Sequence, residues 1–143
     1  MAAVTLRQAN AVCEAVLEKA RELKLRPITV AVVDPGGHLV AFQREDNSAI
    51  LRYEIAMGKA YACVGMGRST RGLQEMAQQR PYFANSLGPS ADGRFTPVLG
   101  GVLLRDRTGA VAGAVGVTGD TAENDEICAI AGVEAAGLVP DLS

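Results

Sequence analysis

Val30-Ala31-Val32-Val33-Asp34-Pro35-Gly36-Gly37-His38-Leu39-Val40-Ala41-Phe42 decides how this chain folds. One apolar run reaches Asp-Pro-Gly-Gly and a second apolar run leaves it. Two such runs around a Pro-Gly turn read as strands over residues 28–33 and 38–44, joined as a hairpin. The turn ends on His38, the one histidine in the sequence. An imidazole beside a glycine turn is the chain's most obvious candidate for haem or metal ligation, or for proton transfer near neutral pH.

Working toward the N-terminus, Pro27 closes a loop after a helix over residues 5–24. Thr5 and Gln8 have the spacing of a capping box, and Leu6, Ala9, Val12, Val16, Ala20 and Leu23 recur at helical intervals. Working toward the C-terminus, Ser48 is placed to cap a helix over 49–65, which Gly65-Met66-Gly67 stops. Ser69 or Thr70 caps a short helix ending near Gln78. Residues 79–96, with Pro81, Gly88, Pro89 and Gly93, read as the longest irregular stretch. Val98–Arg105 and Ala110–Val117 are strands around the turn Asp106-Arg107-Thr108-Gly109. They carry Gly100, Gly101, Gly113 and Gly116, and glycine inside a strand marks a bulge or a close approach by another backbone or a ligand. A last helix over 122–136 ends at Gly137. The order α-β-β-α-α-β-β-α predicts an α+β domain, an antiparallel sheet covered by helices.

The 143 residues predict one domain, 1–143. The chain is 48% hydrophobic, but it has no Trp and only three Phe and three Tyr. At ~25 cal/mol per Å² of apolar area, small aliphatic side chains make a thin core, so a homo-oligomer is expected. Net charge is −2, and basic residues are scattered apart from Arg68, Arg71 and Arg80, which argues against a nucleic-acid partner. No apolar run approaches the ~20 residues that cross a bilayer. The stretch MAAVTLRQANAVCEA has no charged segment followed by a long apolar core, so a cytoplasmic protein is expected. Cys13, Cys63 and Cys128 are odd in number and far apart, which fits reduced buried thiols rather than disulfides or a zinc site.

Four segments, AVVDPGGHLVAFQRED, IAMGKAYACV, FTPVLGGVLLRD and GAVGVTGDTAENDEICAIAGVEAA, occur in this order over nearly the whole chain. Together they resemble the GlcG/HbpS-like family, which includes the C-terminal domain of PduO-type proteins. The resemblance implies a profilin-like fold, a five-stranded antiparallel sheet between helices, with the fifth strand expected within 79–96. It also implies homo-oligomers. Some members bind haem or take part in haem-linked redox sensing, whereas others accompany catabolic genes for glycolate or propanediol use. The run Lys59-Ala60-Tyr61-Ala62 departs from the family pattern by placing a phenol where a small hydroxyl is usual. The segment 79–96 also looks particular to this chain.

Two functional readings follow. In the first, the chain binds haem or another small organic molecule. His38 is the axial or polar contact, with Met57 or Met66 as a second axial donor. Arg44, with Gly100 and Gly101, frames a carboxylate or haem propionate, because a guanidinium fork binds both oxygens. In the second, the chain is a cofactor-independent isomerase, lyase or hydrolase acting on a small carbonyl or carboxylic acid. His38 or Lys59 is then the base, Tyr61 the acid, and glycine-strand amides polarise the carbonyl.

Plainer readings stand beside these. Asp34 can hold the His38 tautomer, or merely accept from its own turn backbone. Lys59 can be an ion-paired lysine on a half-buried helix, and Arg44 a strand-end salt bridge. Lys59 and Tyr61, at i and i+2, diverge on a helix and form no pair. Asp120, Glu123, Asp125 and Glu126 complement a helix N-terminus more simply than they bind phosphate or a divalent metal. No Ser-His-Asp elbow, Walker loop or dinucleotide fingerprint occurs.

Overall fold

The computed structural model describes residues 3–143; Met1 and Ala2, which begin the N-terminal stretch read above, lie outside the described residues. Thr5 opens α1 (Leu6–Glu22) with the expected capping box. Its Oγ1 accepts from the Gln8 amide at 3.1 Å, and Gln8 Oε1 accepts from the Thr5 amide at 3.0 Å. The hairpin forms as β1 (Thr29–Val33) and β2 (Leu39–Arg44). Then come α2 (Arg52–Met66), α3 (Thr70–Gln79), α4 (Pro81–Ser90), β3 (Gly101–Arg105), β4 (Val111–Thr118), α5 (Ala122–Ala135) and β5 (Val139–Asp141). The five strands make one sheet in the order β2-β1-β4-β3-β5, with every pairing antiparallel.

The sheet separates two layers. On one face Val30, Val32, Val102, Val115 and Val117 pack with Val12, Val16, Cys128 and Val133 of α1 and α5. On the other, Ala31, Val33, Leu103 and Ala114 meet Ala56, Met57, Ala60 and Cys63 of α2. This second layer is close because its residues are small. A Cβ on Gly116 would stand 2.0 Å from the Ala56 carbonyl oxygen, so backbone presses on backbone. The close approach expected of the strand glycines is an approach by α2 at Gly116 and by the β1 backbone at Gly113, where a Cβ would lie 2.1 Å from the Val33 carbonyl oxygen. The three cysteines are buried, and burial pushes the Cys13 and Cys63 thiols up to about 12. Thiols held protonated in this way are poor nucleophiles.

Residues 79–96 are not the irregular stretch expected, and they hold no strand. They contain α4, which begins with Pro81 at its first position, where proline's fixed φ suits a helix and its missing amide costs nothing. Ala84 buries against Leu73 and Met76 of α3 and Ala62 of α2, forming a third cluster. The fifth strand is β5, near the C-terminus. Three residues that include Pro140 carry no strand pattern, and β5 stands at the sheet edge, where proline is tolerated. Side chains fix it: the Ser69 hydroxyl donates to the Asp141 carbonyl and accepts from the Leu103 amide, and Arg105 Nε lies 2.7 Å from Asp141 Oδ2. Ser69 thus ties α3 to the sheet instead of capping the helix with its side chain. The second helix starts three residues late, behind Leu51, and Ser48 Oγ has no hydrogen-bond partner among the described residues. No helix among the described residues is long and apolar enough to cross a membrane.

Candidate functional site

The hairpin turn is organised by one carboxylate oxygen. Asp34 Oδ1 accepts from the amides of Gly36 at 2.9 Å and His38 at 3.0 Å, and His38 Nδ1 lies 3.2 Å from it. Asp34 therefore does both jobs weighed for it, building the turn and holding the imidazole. Desolvation raises its carboxyl, yet the two amides and the imidazole outweigh that, and it sits below the usual carboxylate value. An ionised carboxylate only accepts, so in the neutral imidazole Nδ1 carries the proton and Nε2 the lone pair. The His38 side chain is 80% exposed, which leaves Nε2 open to solvent.

The turn rests on Tyr61. A Cβ on Gly37 would meet Tyr61 Cε2 at 2.6 Å, and Gly37 has a φ of +83°, so glycine is required twice over. The Arg94 guanidinium carbon lies 3.9 Å from the centroid of the Tyr61 ring. Beyond it a groove of about 230 Å³ runs between α2 and α4, walled by Ala62, Met66, Leu87 and Phe95. Tyr61, Arg94 and Met66 thus line one groove, and His38 stands outside its lining, on the turn that rests on Tyr61. The sequence places Arg94 in the segment particular to this chain but gives it no role, because its partner Tyr61 stands on another element. The spacing of Ala84, Leu87 and Ala91 is helical, and it was the available signal for α4.

Lys59 faces another cavity. Its side chain is 3% exposed, and Nζ donates to the Val117 carbonyl at 2.8 Å and to Asp125 Oδ2 at 3.3 Å. Burial pushes the ammonium below its usual value while Asp125 pulls it back. Burial likewise pushes the Asp125 carboxyl up against the pull of Lys59. Beside the pair, Arg52 Nη1 donates to Thr118 Oγ1 at 2.7 Å. These groups border a cavity of about 270 Å³ where α2 begins, β4 ends and α5 begins. The i, i+2 divergence of Lys59 and Tyr61 holds: they line different cavities.

The other candidates separate. Arg44 stands at the far end of β2 from His38, beside Arg21, Pro27 and Glu45. Gly100 packs against the Lys59 ammonium, where a Cβ would lie 2.7 Å from Nζ. Gly101 packs under Thr70, whose Oγ1 accepts from its amide at 2.8 Å. His38, Arg44, Gly100 and Gly101 therefore do not frame one pocket. Met57 is buried in the layer between α2 and the sheet.

The acidic residues at the start of α5 disperse among partners. Asp125 serves Lys59, Glu126 binds Arg71 Nη2 at 2.5 Å, and Asp120 binds the Arg26 amide at 3.0 Å and Asn124 Nδ2 at 2.8 Å. Among the described residues no cluster of three or more His, Cys, Asp or Glu side chains is placed to hold a metal ion. The Asn124 side chain, then the Arg26 and Thr121 amides, hold the Asp120 carboxyl well below the usual carboxylate range. A depressed folded pKa adds stability above the unfolded value, ~3.9, and loses it as pH falls toward the folded value. The stability deficit of Asp120→Asn against wild type is expected to be full at neutral pH and to shrink below about pH 4. Urea unfolding at several pH values measures it; a deficit that does not change with pH contradicts the assignment.

Comparison with known proteins adds to this geometry. The family model described as haem degrading protein HbpS-like matches residues 4–134. An uncharacterized 15.0 kDa protein from the dhaT-dhaS intergenic region of Citrobacter freundii is 34% identical over 142 residues, covering 90% of this chain and 89% of its own length. The crystal structure of the PduOC:heme complex superposes with a TM-score of 0.84 at 25% identity, covering 95% of this chain and 96% of that one. A double mutant of Streptomyces reticuli HbpS superposes with a TM-score of 0.80 at 27% identity, covering 94% and 87%.

Proposed function

Because this chain belongs to the family of haem-degrading HbpS-like proteins, we propose that it binds a haem-related ligand on the side built by His38, Tyr61 and Arg94. The observation that carries this reading is the Asp34–His38 pair. A carboxylate on Nδ1 fixes the ring and leaves Nε2 open, the arrangement that metal-ligating histidines use.

The residues present fit haem in kind. His38 would hold the iron through a ring nitrogen, the groove beside Tyr61 would give an apolar wall, and Arg94 would give a cation for a propionate. Bound there, haem supplies an iron centre for redox chemistry. The chain's own residues orient and enclose it. A groove of about 230 Å³ holds only part of a tetrapyrrole, so the rest of the ring needs cover, which a second copy of the chain would give. A homo-oligomeric haem-linked redox accessory is the finer form of this reading.

A hemin titration followed by absorbance tests it. Wild type is expected to show a saturable Soret shift, and His38→Ala to bind at least about tenfold more weakly with an altered band. Asp34→Asn, which loses the charge behind the imidazole, is expected to fall between them, since partners behind a ligating histidine are typically worth about 10–100-fold. The same affinity and spectrum in His38→Ala removes the histidine from the site, and no saturable shift in wild type removes the ligand.

A further inference from the structure

Lys59 is a cation kept where cations are costly, and it borders a cavity together with Arg52, Thr118 and two carboxylates, Asp120 and Asp125. The accounting is short. The ammonium has three protons; Val117 and Asp125 take two, and one remains. The Arg52 guanidinium has five N–H groups, of which Thr118 Oγ1 receives one. Thr118, having accepted, still has its own proton to give. Both carboxylates on the lining are already engaged by donors of the protein: Asp125 receives Lys59 on one oxygen and the Asp120 amide on the other. Asp120 is taken up by Arg26, Thr121 and Asn124. Among the described residues no carboxylate forms a salt bridge with Arg52.

The cavity between these donors is about 270 Å³, and Ile55 and Val98 give it apolar walls. Ala122 places the first turn of α5, the positive end of a 14-residue helix, on its border. A surplus of donors around an unpaired guanidinium selects an acceptor-only anion, and a planar fork selects a carboxylate. The volume and the walls admit a ligand with a short carbon chain.

We propose that this cavity binds a short-chain carboxylic acid, with Arg52 and Thr118 on its carboxylate and the third proton of Lys59 on a ligand oxygen. The site lies apart from the His38 side and does not depend on haem. The Lys59–Asp125 pair is its floor. Held by two acceptors, the ammonium cannot swing away, so its remaining proton has a fixed direction.

Isothermal titration with acetate and with pyruvate tests the proposal, using acetamide and methyl pyruvate as uncharged counterparts. Saturable binding of at least one acid, and of neither counterpart, is expected. Arg52→Gln is expected to weaken it at least about tenfold, the loss of one charge-assisted bidentate contact. The double variant Lys59→Met with Asp125→Leu removes the pair without stranding a charge, and it is expected to weaken binding as well. His38→Ala is expected to leave it unchanged, which separates this site from the haem reading. Failure of both acids to saturate wild type overturns the proposal, and so does equal affinity in Arg52→Gln, a partly exposed residue whose replacement leaves the core intact.

Discussion

Gly116→Ala is expected to destabilise the chain by about 3 kcal/mol or more, the upper end of what overpacking costs. Its φ lies in an ordinary region, so the cost is steric and not a matter of backbone strain. The added carbon would sit 2.0 Å from the Ala56 carbonyl oxygen and 2.9 Å from the Ala60 nitrogen. Both are helix backbone and cannot rotate away. The remedy is to lift α2 from β4, which opens the layer that Ala31, Ala60 and Ala114 close. Gly65→Ala is the matched control. It lies within α2 with nothing within 4 Å of its would-be Cβ, and alanine in a helix is favoured over glycine by up to about 1 kcal/mol. Urea unfolding of both variants measures the contrast. A Gly116→Ala cost equal to the control's contradicts the close packing of α2 on β4.

Lys59→Met is expected to cost about 3–5 kcal/mol, because it leaves Asp125 as a buried charge without its partner. The cause is the stranded carboxylate and not the lost lysine. Adding Asp125→Leu is therefore expected to recover most of the loss, since a well-packed apolar pair often equals a buried ion pair. The pH dependence has a definite sign. Burial already raises the Asp125 carboxyl, and removing the ammonium removes what pulls it down. A raised folded pKa costs nothing below the unfolded value, ~3.9, and its full amount above the folded value. The deficit of Lys59→Met is thus smallest in acid and grows as pH rises. Recovery by the double variant and this slope, both read from unfolding curves, check the argument; a deficit unchanged by Asp125→Leu contradicts it.

What the sequence made legible is local. The hairpin announces itself in residues 30–42 because turn and strand signals lie side by side. The capping box spans Thr5 to Gln8, and the strand glycines declare a close approach without naming what approaches. Asp34 and His38 are four apart, so their pairing was visible as an option. The rest depends on distant partners. β5 is a strand because Ser69 and Arg105 hold it, and nothing in Val139-Pro140-Asp141 says so. Asp125 meets Lys59 from 66 residues away. Arg94 reaches Tyr61 only because α4 folds back over α2. Arg44 looked like a companion of His38 from its place in the chain. An extended strand holds its two ends apart, so nearness in sequence became separation in space.

The cluster under α3 and α4 has a dynamic consequence. Ala62, Leu73, Met76 and Ala84 form it alone, sharing no buried residue with the two clusters on the sheet. Such a unit can loosen without the sheet unfolding, at a free-energy cost below that of global unfolding. Leu87 and Phe95 belong to this looser unit, whereas Tyr61 and Ala62 stand on the helix pressed against β4. The α4 wall of the groove, with Leu87 and Phe95, is therefore expected to exchange its backbone amide hydrogens faster than the α2 wall, and to yield first to a guest bulkier than the resting space.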